Sequence, residues 1–283
     1  MKKYLSLVKF SHSIFALPFA LIGFYLAVRL PETTFHWQLL LYVILCMVFA
    51  RSAAMGFNRW ADEKYDRKNP RTAGREIPKG IIKKESALVF VVVNSLLFMG
   101  TAWLINPLCF YLSPIALFVV LGYSYTKRFT ALCHLVLGLG LSLSPIGAYL
   151  AVTGHFALLP ILFSFIVLCW VSGFDIIYAL QDDAFDRSQA LHSIPVWLGP
   201  KKGLLFSTLL HTLAGVLVIF VGVYGQFHWL YWLGAAVFIG MLIYQHLLVK
   251  PHDLSKVNIA FMTANGIASI LFACFVVAAT LLS

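Results

Sequence analysis

Apolar runs long enough to cross a membrane recur along almost the whole chain. A hydrocarbon core about 30 Å thick needs about 20 apolar residues in a helix. The sequence contains such runs at roughly 11–30, 37–57, 85–105, 109–126, 131–152, 157–178, 203–224, 228–249 and 257–282. Only 11% of the 283 residues are charged, against about a quarter in a soluble domain. The pattern predicts an all-α integral membrane protein with about nine transmembrane helices.

The basic residues predict the orientation of these helices. All of the 21 Lys and Arg except Arg29 lie at the N-terminus, near 51–84, at 127–128, in 187–202 or at 250–256. Nine crossings place these five regions on one side, and loops rich in Lys and Arg face the cytoplasm. We therefore expect a cytoplasmic N-terminus. The sequence shows no evident mitochondrial presequence, which favours a bacterial inner membrane. The net charge of +10 then reflects insertion into a lipid bilayer, with no nucleic acid as partner.

One polar cluster follows the second apolar run. Asn58, Asp62 and Asp66 are spaced four residues apart, and Arg51 precedes them by two helical turns. On a helix these four side chains fall within an arc of about 80°. Two carboxylates on one face repel unless a cation joins them, and Mg²⁺ binds through one or two carboxylates plus substrate phosphates. The alternative is a solvated helix end on which the acids pair with Arg59, Lys64 or Lys68.

A second cluster repeats the carboxylate spacing after the sixth run. Asp175, Tyr178, Asp182 and Asp186 lie at positions i, i+3, i+7 and i+11. They also share an arc of about 80° if the helix continues beyond the membrane. Asp175 lies inside an apolar stretch, where a carboxylate must be paired or hydrogen-bonded. The spacing therefore favours a polar cavity.

Basic side chains accompany both clusters. Arg71 and Arg75 lie in a loop interrupted by Gly and Pro, and Tyr123, Lys127 and Arg128 end the fourth run. The planar guanidinium of Arg suits phosphate oxygens. The alternative is an ordinary positive loop and a routine basic stop after an apolar run.

The clusters occupy equivalent places in the predicted topology. Each follows a helix that runs from outside to inside, namely the second and the sixth. This predicts one domain over 1–283 with two pseudo-repeated halves, about 1–128 and 129–250, plus a final helix at 257–282. Equal orientation indicates a parallel repeat.

Taken together, the motifs resemble the intramembrane aromatic prenyltransferases of the UbiA family. They read Asn58-x-x-x-Asp62-x-x-x-Asp66 with Arg71 and Arg75, then Tyr123-x-x-x-Lys127-Arg128, then Asp175-x-x-Tyr178-x-x-x-Asp182-x-x-x-Asp186. The match extends over essentially the whole chain. The resemblance implies helices around a central cavity, a cytoplasmic cap over its polar mouth, and a lateral opening for a polyprenyl diphosphate.

The resemblance also implies roles for the cluster residues. Asp62 and Asp66 would hold one Mg²⁺ and Asp182 and Asp186 another, with Asn58 as an auxiliary ligand. Lys127, Arg71 and Arg75 would neutralise the diphosphate leaving group. By the same resemblance Tyr123, Arg128, Asp175 and Tyr178 belong to the substrate-binding surface.

The acceptor is predicted from one arginine. The family commonly places an Arg seven residues before the motif Asn to meet an aromatic carboxylate, and Arg51 stands at that offset. This favours 4-hydroxybenzoate. The runs 57–59 and 69–78 look closer to relatives proposed to prenylate 1,4-dihydroxy-6-naphthoate for menaquinone, which also bears a carboxylate. Glu76 and Ser124 depart from the prolines common in the family.

Other functions remain open at this stage. A transporter would also have a parallel repeat, but its polar residues should lie near the bilayer centre with access from both sides. Here nearly all lie at one mouth. A lipid diphosphate phosphatase would need a nucleophile or general base that the sequence does not display. Haem farnesyltransferases and chlorophyll synthases use acceptors that give Arg51 no simple aromatic carboxylate.

Overall fold

The regular elements of the described residues are all helices. The computed structural model describes residues 2–8 and 15–282. In chain order the α-helices are α1 (Lys2–Leu7), α2 (Leu17–Val28), α3 (Trp37–Ala61), α4 (Glu63–Lys68), α5 (Lys84–Ile105), α6 (Pro107–Thr126), α7 (Cys133–Thr153), α8 (Leu158–Ala179), α9 (Asp183–Ser188), α10 (Ile194–Leu198), α11 (Pro200–Tyr224), α12 (Trp229–Leu248) and α13 (Asn265–Leu281). A 3₁₀ turn spans Leu180–Asp182, and a π-helical turn spans Ile259–Ala264.

Eight helical segments in the described part of the chain are long and apolar enough to cross a membrane. They correspond to the second to ninth predicted runs. The first predicted run, 11–30, contains the shorter apolar helix α2, and its residues 11–14 lie outside the described residues. The all-α, multi-pass prediction is therefore confirmed.

Large apolar side chains on the outer helices face away from the protein. Phe118 on α6 is 79% exposed and Leu247 on α12 is 70% exposed. In water such surfaces would be unfavourable, but in a bilayer they contact acyl chains. The outside of the bundle is thus apolar like its core, as a membrane protein requires.

Aromatic rings fill the centre of one side of the bundle, where α2, α8, α12 and α13 meet. The ring centroid of Trp170 lies 5.3 Å from that of Phe19 and 5.7 Å from that of Phe238. The indole Nε1 of Trp170 donates a 2.7 Å hydrogen bond to the side-chain oxygen of Asn265. Buried indole N–H groups need such a partner, so this contact fixes α13 against α8.

Two membrane helices contain an internal proline that is preceded by serine. Pro114 in α6 cannot donate to the carbonyl of Phe110, and the hydroxyl of Ser113 donates to it instead, at 2.7 Å. The arrangement recurs in α7, where Ser144 precedes a proline and donates to the carbonyl of Leu141 at 2.8 Å. Lipid offers no replacement donor, so the serines satisfy carbonyls that proline would leave unpaired.

Close backbone contacts hold α7 between α2 and α8. A Cβ on Gly23 of α2 would lie 1.9 Å from the carbonyl oxygen of Pro145, and one on Gly138 of α7 would lie 2.6 Å from that of Leu168. Only glycine permits these approaches, which small residues commonly provide in membrane helix packing. Helix α7, whose first turns form a wall of the site, is therefore held on both sides.

Candidate active site

A polar cavity of about 220 Å³ lies at the end of the bundle where α3, α6 and α8 end and α7 begins. Twelve of the thirteen predicted site residues line it: Asn58, Asp62, Asp66, Arg71, Arg75, Tyr123, Lys127, Arg128, Asp175, Tyr178, Asp182 and Asp186. Side chains from distant parts of the sequence are thus brought together.

The thirteenth predicted residue, Arg51, is not among the residues that line this cavity. It lies in α3, partly buried, two turns before Asn58. Its assignment to an acceptor carboxylate stays a prediction.

The first cluster lies where α3 gives way to α4. Asn58 Nδ2 donates to Asp62 Oδ2 at 3.0 Å, and Arg128 Nη2 approaches Asp62 Oδ1 at 3.5 Å. Asp66 is buried and receives Arg75 Nη1 at 2.6 and 2.8 Å on its two oxygens. The alternative in which these acids form ion pairs with Arg59, Lys64 or Lys68 is therefore wrong for this structure.

Asp62 is the more weakly compensated carboxylate of the first cluster. Burial and the neighbouring charge of Asp66 raise its pKa to about 6, although Arg128 opposes the rise. Desolvation and a like charge both disfavour the ionised form. A cation at this position would stabilise the carboxylate, which is the behaviour expected of a metal ligand.

The second cluster is held by side chains from other segments. Arg71 contacts both oxygens of Asp182, with its Nε at 2.9 Å from Oδ1. Asn69 Nδ2 donates to the same oxygen at 3.0 Å, and Arg71 Nη1 donates to the hydroxyl of Tyr178 at 2.9 Å. This two-point contact is the geometry that makes arginine selective for carboxylate and phosphate.

Lys127 forms an ion pair with Asp186, the other carboxylate of the second cluster. Its Nζ lies 2.7 Å from Asp186 Oδ2. Burial would lower the pKa of Lys127, but the charge and hydrogen bonding of Asp186 outweigh it and hold the pKa above the ordinary lysine value. Lys127 is therefore charged inside the cavity.

Segment 69–75 contacts both clusters, through Arg75 at Asp66 and through Asn69 and Arg71 at Asp182. The side chain of Asn69 accepts from the backbone N–H of Arg71 at 3.0 Å, and Thr72 Oγ1 donates to the carbonyl of Asp66 at 3.2 Å. Both Asn69 and Thr72 are buried. Sequence analysis did not assign Asn69 a place in the site, although Asn followed by Pro is a turn signal.

The spacing predicted that each cluster lies on one uninterrupted helix. In the structure, neither cluster does. Asp62 stands between α3 and α4 with φ −91° and ψ 5°, and a 3₁₀ turn ends at Asp182. The spacing survives the break in the first cluster, because Asp62 N donates to Asn58 O at 2.9 Å and Asp66 N to Asp62 O at 2.8 Å. Helix-like hydrogen bonds therefore keep the three side chains in register.

The deep wall of the cavity contains a histidine that sequence analysis left without a role. His134 Nδ1 lies 2.7 Å from Asp175 Oδ2, and the backbone N–H of Ile194 donates to His134 Nε2 at 3.3 Å. The requirement that Asp175 be paired is thus confirmed. Nothing in the spacing of the histidines indicated this partner, because the pair is 41 residues apart.

The donor set fits a cation shared with a ligand. Within residues 2–8 and 15–282, no three Asp, Glu, His or Cys converge on one point as a metal site. Each cluster instead contributes two carboxylates, and Asn58 adds an amide oxygen. Hard oxygen donors suit Mg²⁺, which completes its octahedron with water and phosphate oxygens.

Comparison with known proteins identifies the family. The model of the UbiA prenyltransferase family matches residues 16–279. The chain belongs to the UbiA prenyltransferase family. It is an enzyme, and its membrane helices have the fold of this family.

Curated relatives in the UbiA family share about three residues in ten with the chain. A 4-hydroxybenzoate octaprenyltransferase of Paraburkholderia phytofirmans is 31% identical over 238 residues, which cover 83% of this chain and 82% of the relative. One of Aliivibrio fischeri is 29% identical over 242 residues, with the same two coverages.

Solved UbiA structures share the whole architecture. The apo structure of a UbiA homologue from Aeropyrum pernix is 29% identical, has a TM-score of 0.81 and covers 96% of this chain and 97% of its own. A UbiA homologue from Archaeoglobus fulgidus bound to DMAPP and Mg²⁺ is 20% identical, with a TM-score of 0.79 and coverages of 99% and 100%. The UbiA fold is therefore shared along nearly the full chain.

Proposed function

We propose that this UbiA-family enzyme transfers a polyprenyl group from a polyprenyl diphosphate to the ring of an aromatic carboxylic acid, with Mg²⁺ as cofactor. The acceptor is 4-hydroxybenzoate, and the reaction belongs to quinone biosynthesis. The enzyme lies in a bacterial inner membrane with the mouth of the cavity in the cytoplasm.

One observation carries the proposal: carboxylates and cations alternate around a single cavity. Four carboxylates from two segments face it, and each lies against a basic side chain. A diphosphate and its divalent cations carry both signs of charge. The cavity therefore provides basic side chains for the phosphates and carboxylates for the metal, and in the structure these groups pair with one another so that no buried carboxylate of the clusters lacks a basic partner.

Mg²⁺, held by Asp62 and Asp66 and by Asp182 and Asp186 with Asn58 assisting, would stabilise negative charge on the leaving diphosphate. Arg71, Arg75 and Lys127 would turn from the carboxylates to the phosphate oxygens. Their N–H groups then meet charge that develops as the bond breaks, which is where electrostatic stabilisation is most effective.

In the reaction the allylic C–O bond breaks and its electron pair leaves with the diphosphate. A ring carbon of the acceptor then forms the new C–C bond and later loses its proton. Aromatic side chains at the cavity support this chemistry: Tyr123 and Tyr178 line it, and electron-rich ring faces stabilise cations. The surrounding apolar helices keep water from the cation.

The comparisons support the substrates. The relatives described above are named for 4-hydroxybenzoate and an octaprenyl group. UbiA homologues of the same fold have been solved with bound DMAPP or GPP and Mg²⁺. The carboxylate of the acceptor would meet Arg51.

The test is an assay of the purified protein in liposomes with Mg²⁺ and a long-chain prenyl diphosphate. 4-Hydroxybenzoate and 1,4-dihydroxy-6-naphthoate are offered separately, and product is detected by mass. We expect prenylated 4-hydroxybenzoate, lost when EDTA removes the metal and restored by added Mg²⁺. Product from the naphthoate alone would overturn the acceptor. Absence of both products and of Mg²⁺-dependent diphosphate binding would overturn the whole proposal.

A further inference from the structure

A buried polar pair in the deep wall of the cavity takes no part in the leaving-group chemistry. His134, on the first turn of α7, is 2% exposed, and the side chain of Asp175 on α8 is 23% exposed. Both line the cavity. Their contact of 2.7 Å joins His134 Nδ1 to Asp175 Oδ2.

The backbone determines which nitrogen of His134 carries the hydrogen. The N–H of Ile194 can only donate, and it lies 3.3 Å from Nε2 with hydrogen-bond geometry. In this geometry Nε2 is the acceptor and the ring hydrogen lies on Nδ1, which faces the carboxylate of Asp175. Nδ1 then donates to Asp175, so the carboxylate has one oxygen held in a fixed position.

The other oxygen of Asp175 is available to a ligand. Among the side chains and backbone groups that the structure describes, none donates a hydrogen bond to Asp175 Oδ1. A partly buried carboxylate needs such donors. A diphosphate or a second carboxylate would be repelled, whereas a hydroxyl group can donate.

The position of Asp175 along α8 separates it from the diphosphate end. It precedes Asp182 by seven residues, which corresponds to about 10 Å along a helix axis. A ligand that contacts Asp175 therefore lies deeper than one that contacts Asp182.

We propose that His134 is a positioning residue of the acceptor subsite. It holds the carboxylate of Asp175 so that Asp175 accepts a hydrogen bond from the ring hydroxyl of the aromatic acceptor. That hydrogen bond orients the ring and increases electron density at the carbon next to the hydroxyl. The inference rests on the proposed function, because it requires a hydroxylated aromatic acceptor.

Three substitutions of His134 separate its two contacts. In His134→Asn the amide N–H takes the place of Nδ1 against Asp175, whereas in His134→Gln the longer side chain reaches the place of Nε2 against Ile194. His134→Leu removes both contacts. We expect His134→Asn to keep kcat/KM for the acceptor within about threefold, and the other two to lose about 10- to 100-fold, the range for a hydrogen bond to a charged group. KM for the diphosphate should stay unchanged in all three.

The opposite pattern would overturn the inference. If His134→Gln retains activity and His134→Asn does not, His134 supports the chain at Ile194 and does not act through Asp175. Equal loss for both substrates in all three variants would mark a purely structural residue.

A double-substitution cycle tests whether His134 acts through Asp175. In an Asp175→Asn background, His134→Leu should lower activity by less than about twofold further, because the contact that it serves is already changed. Multiplicative losses would overturn the coupling. Failure of the wild type to prenylate either acceptor would overturn the proposed function itself, whereas an active wild type with unaffected His134 variants would overturn only this inference.

Discussion

The two acidic clusters share a spacing but are held in different ways. Asp66 of the first cluster is paired with Arg75, only nine residues away. Asp182 of the second is paired with Arg71 and Asn69, more than 100 residues away in sequence. The first cluster is therefore largely local in origin, whereas the second is completed by the fold.

The clusters also differ in how tightly their carboxylates are compensated. Asp62 has an arginine nitrogen at 3.5 Å, whereas Asp186 has a lysine nitrogen at 2.7 Å. The first cluster thus has one loosely paired carboxylate. In the second cluster both carboxylates have a basic nitrogen close by, at 2.7 Å from Asp186 and 2.9 Å from Asp182. Two motifs with the same spacing in the sequence can therefore differ in how readily their carboxylates bind a metal.

The largest effect on turnover is expected when one carboxylate is removed from each cluster in turn. Asp62→Ala and Asp182→Ala should each lower turnover by about 10³-fold or more, because each removes a carboxylate from the proposed diphosphate site. Mass detection of prenylated product measures this. Glu63→Ala and Asp183→Ala are matched controls, since these neighbouring acids pair with Arg67 and Arg187 on the same short helices. Retained Mg²⁺-dependent activity in both site variants would contradict the two-cluster site.

A second substitution removes the link between the clusters. Arg71→Ala should lower kcat/KM for the diphosphate by about 100-fold, because Arg71 contacts Asp182 at two points and is proposed to meet the phosphates. Arg71→Lys should recover only part of this loss, since lysine cannot make the two-point contact. Arg67→Ala, on the exposed end of α4, is the control. Full recovery by lysine would show that charge alone matters.

Substitution of Arg51 tests whether it contributes to binding of the acceptor and not of the diphosphate. Arg51→Ala should raise KM for 4-hydroxybenzoate by about tenfold or more while KM for the diphosphate changes by less than about threefold. Steady-state kinetics with each substrate varied in turn measures the difference. Equal losses for the two substrates would mark Arg51 as structural.

The smallest expected effect concerns the hydroxyl that supports Arg71. Tyr178→Phe removes the acceptor of a 2.9 Å hydrogen bond but keeps the ring, whose centroid lies 5.2 Å from the guanidinium carbon. We expect a loss of about three- to tenfold in kcat/KM for the diphosphate, in keeping with one hydrogen bond. An effect as large as that of Arg71→Ala would place the hydroxyl on the substrate itself.

The membrane fold and the composition of the cavity could be predicted from the sequence. Apolar run length fixes the membrane helices, and the four-residue spacing places Asn58, Asp62 and Asp66 together even though α3 ends before Asp62. These features depend on residues close together in the chain. The predicted two-half repeat and the cytoplasmic orientation stay predictions.

The pairing within the cavity could not be predicted in the same way. Asn69 meets Asp182 across 113 residues, and His134 meets Asp175 across 41. Neither contact has a local spacing signal, because both depend on how separate helices pack. The interruption of both helices at the clusters was also missed, since side-chain periodicity does not report a change of a single backbone turn.

The serine and proline pairs of α6 and α7 bear on how these helices enter the bilayer. During insertion a helix meets lipid before its final neighbours are in place, and an unpaired carbonyl then has no other helix to turn to. Ser113 and Ser144 provide the missing donor from within their own helix. Each proline is therefore compatible with insertion as an independent unit, and the walls of the cavity need not assemble before they cross the membrane.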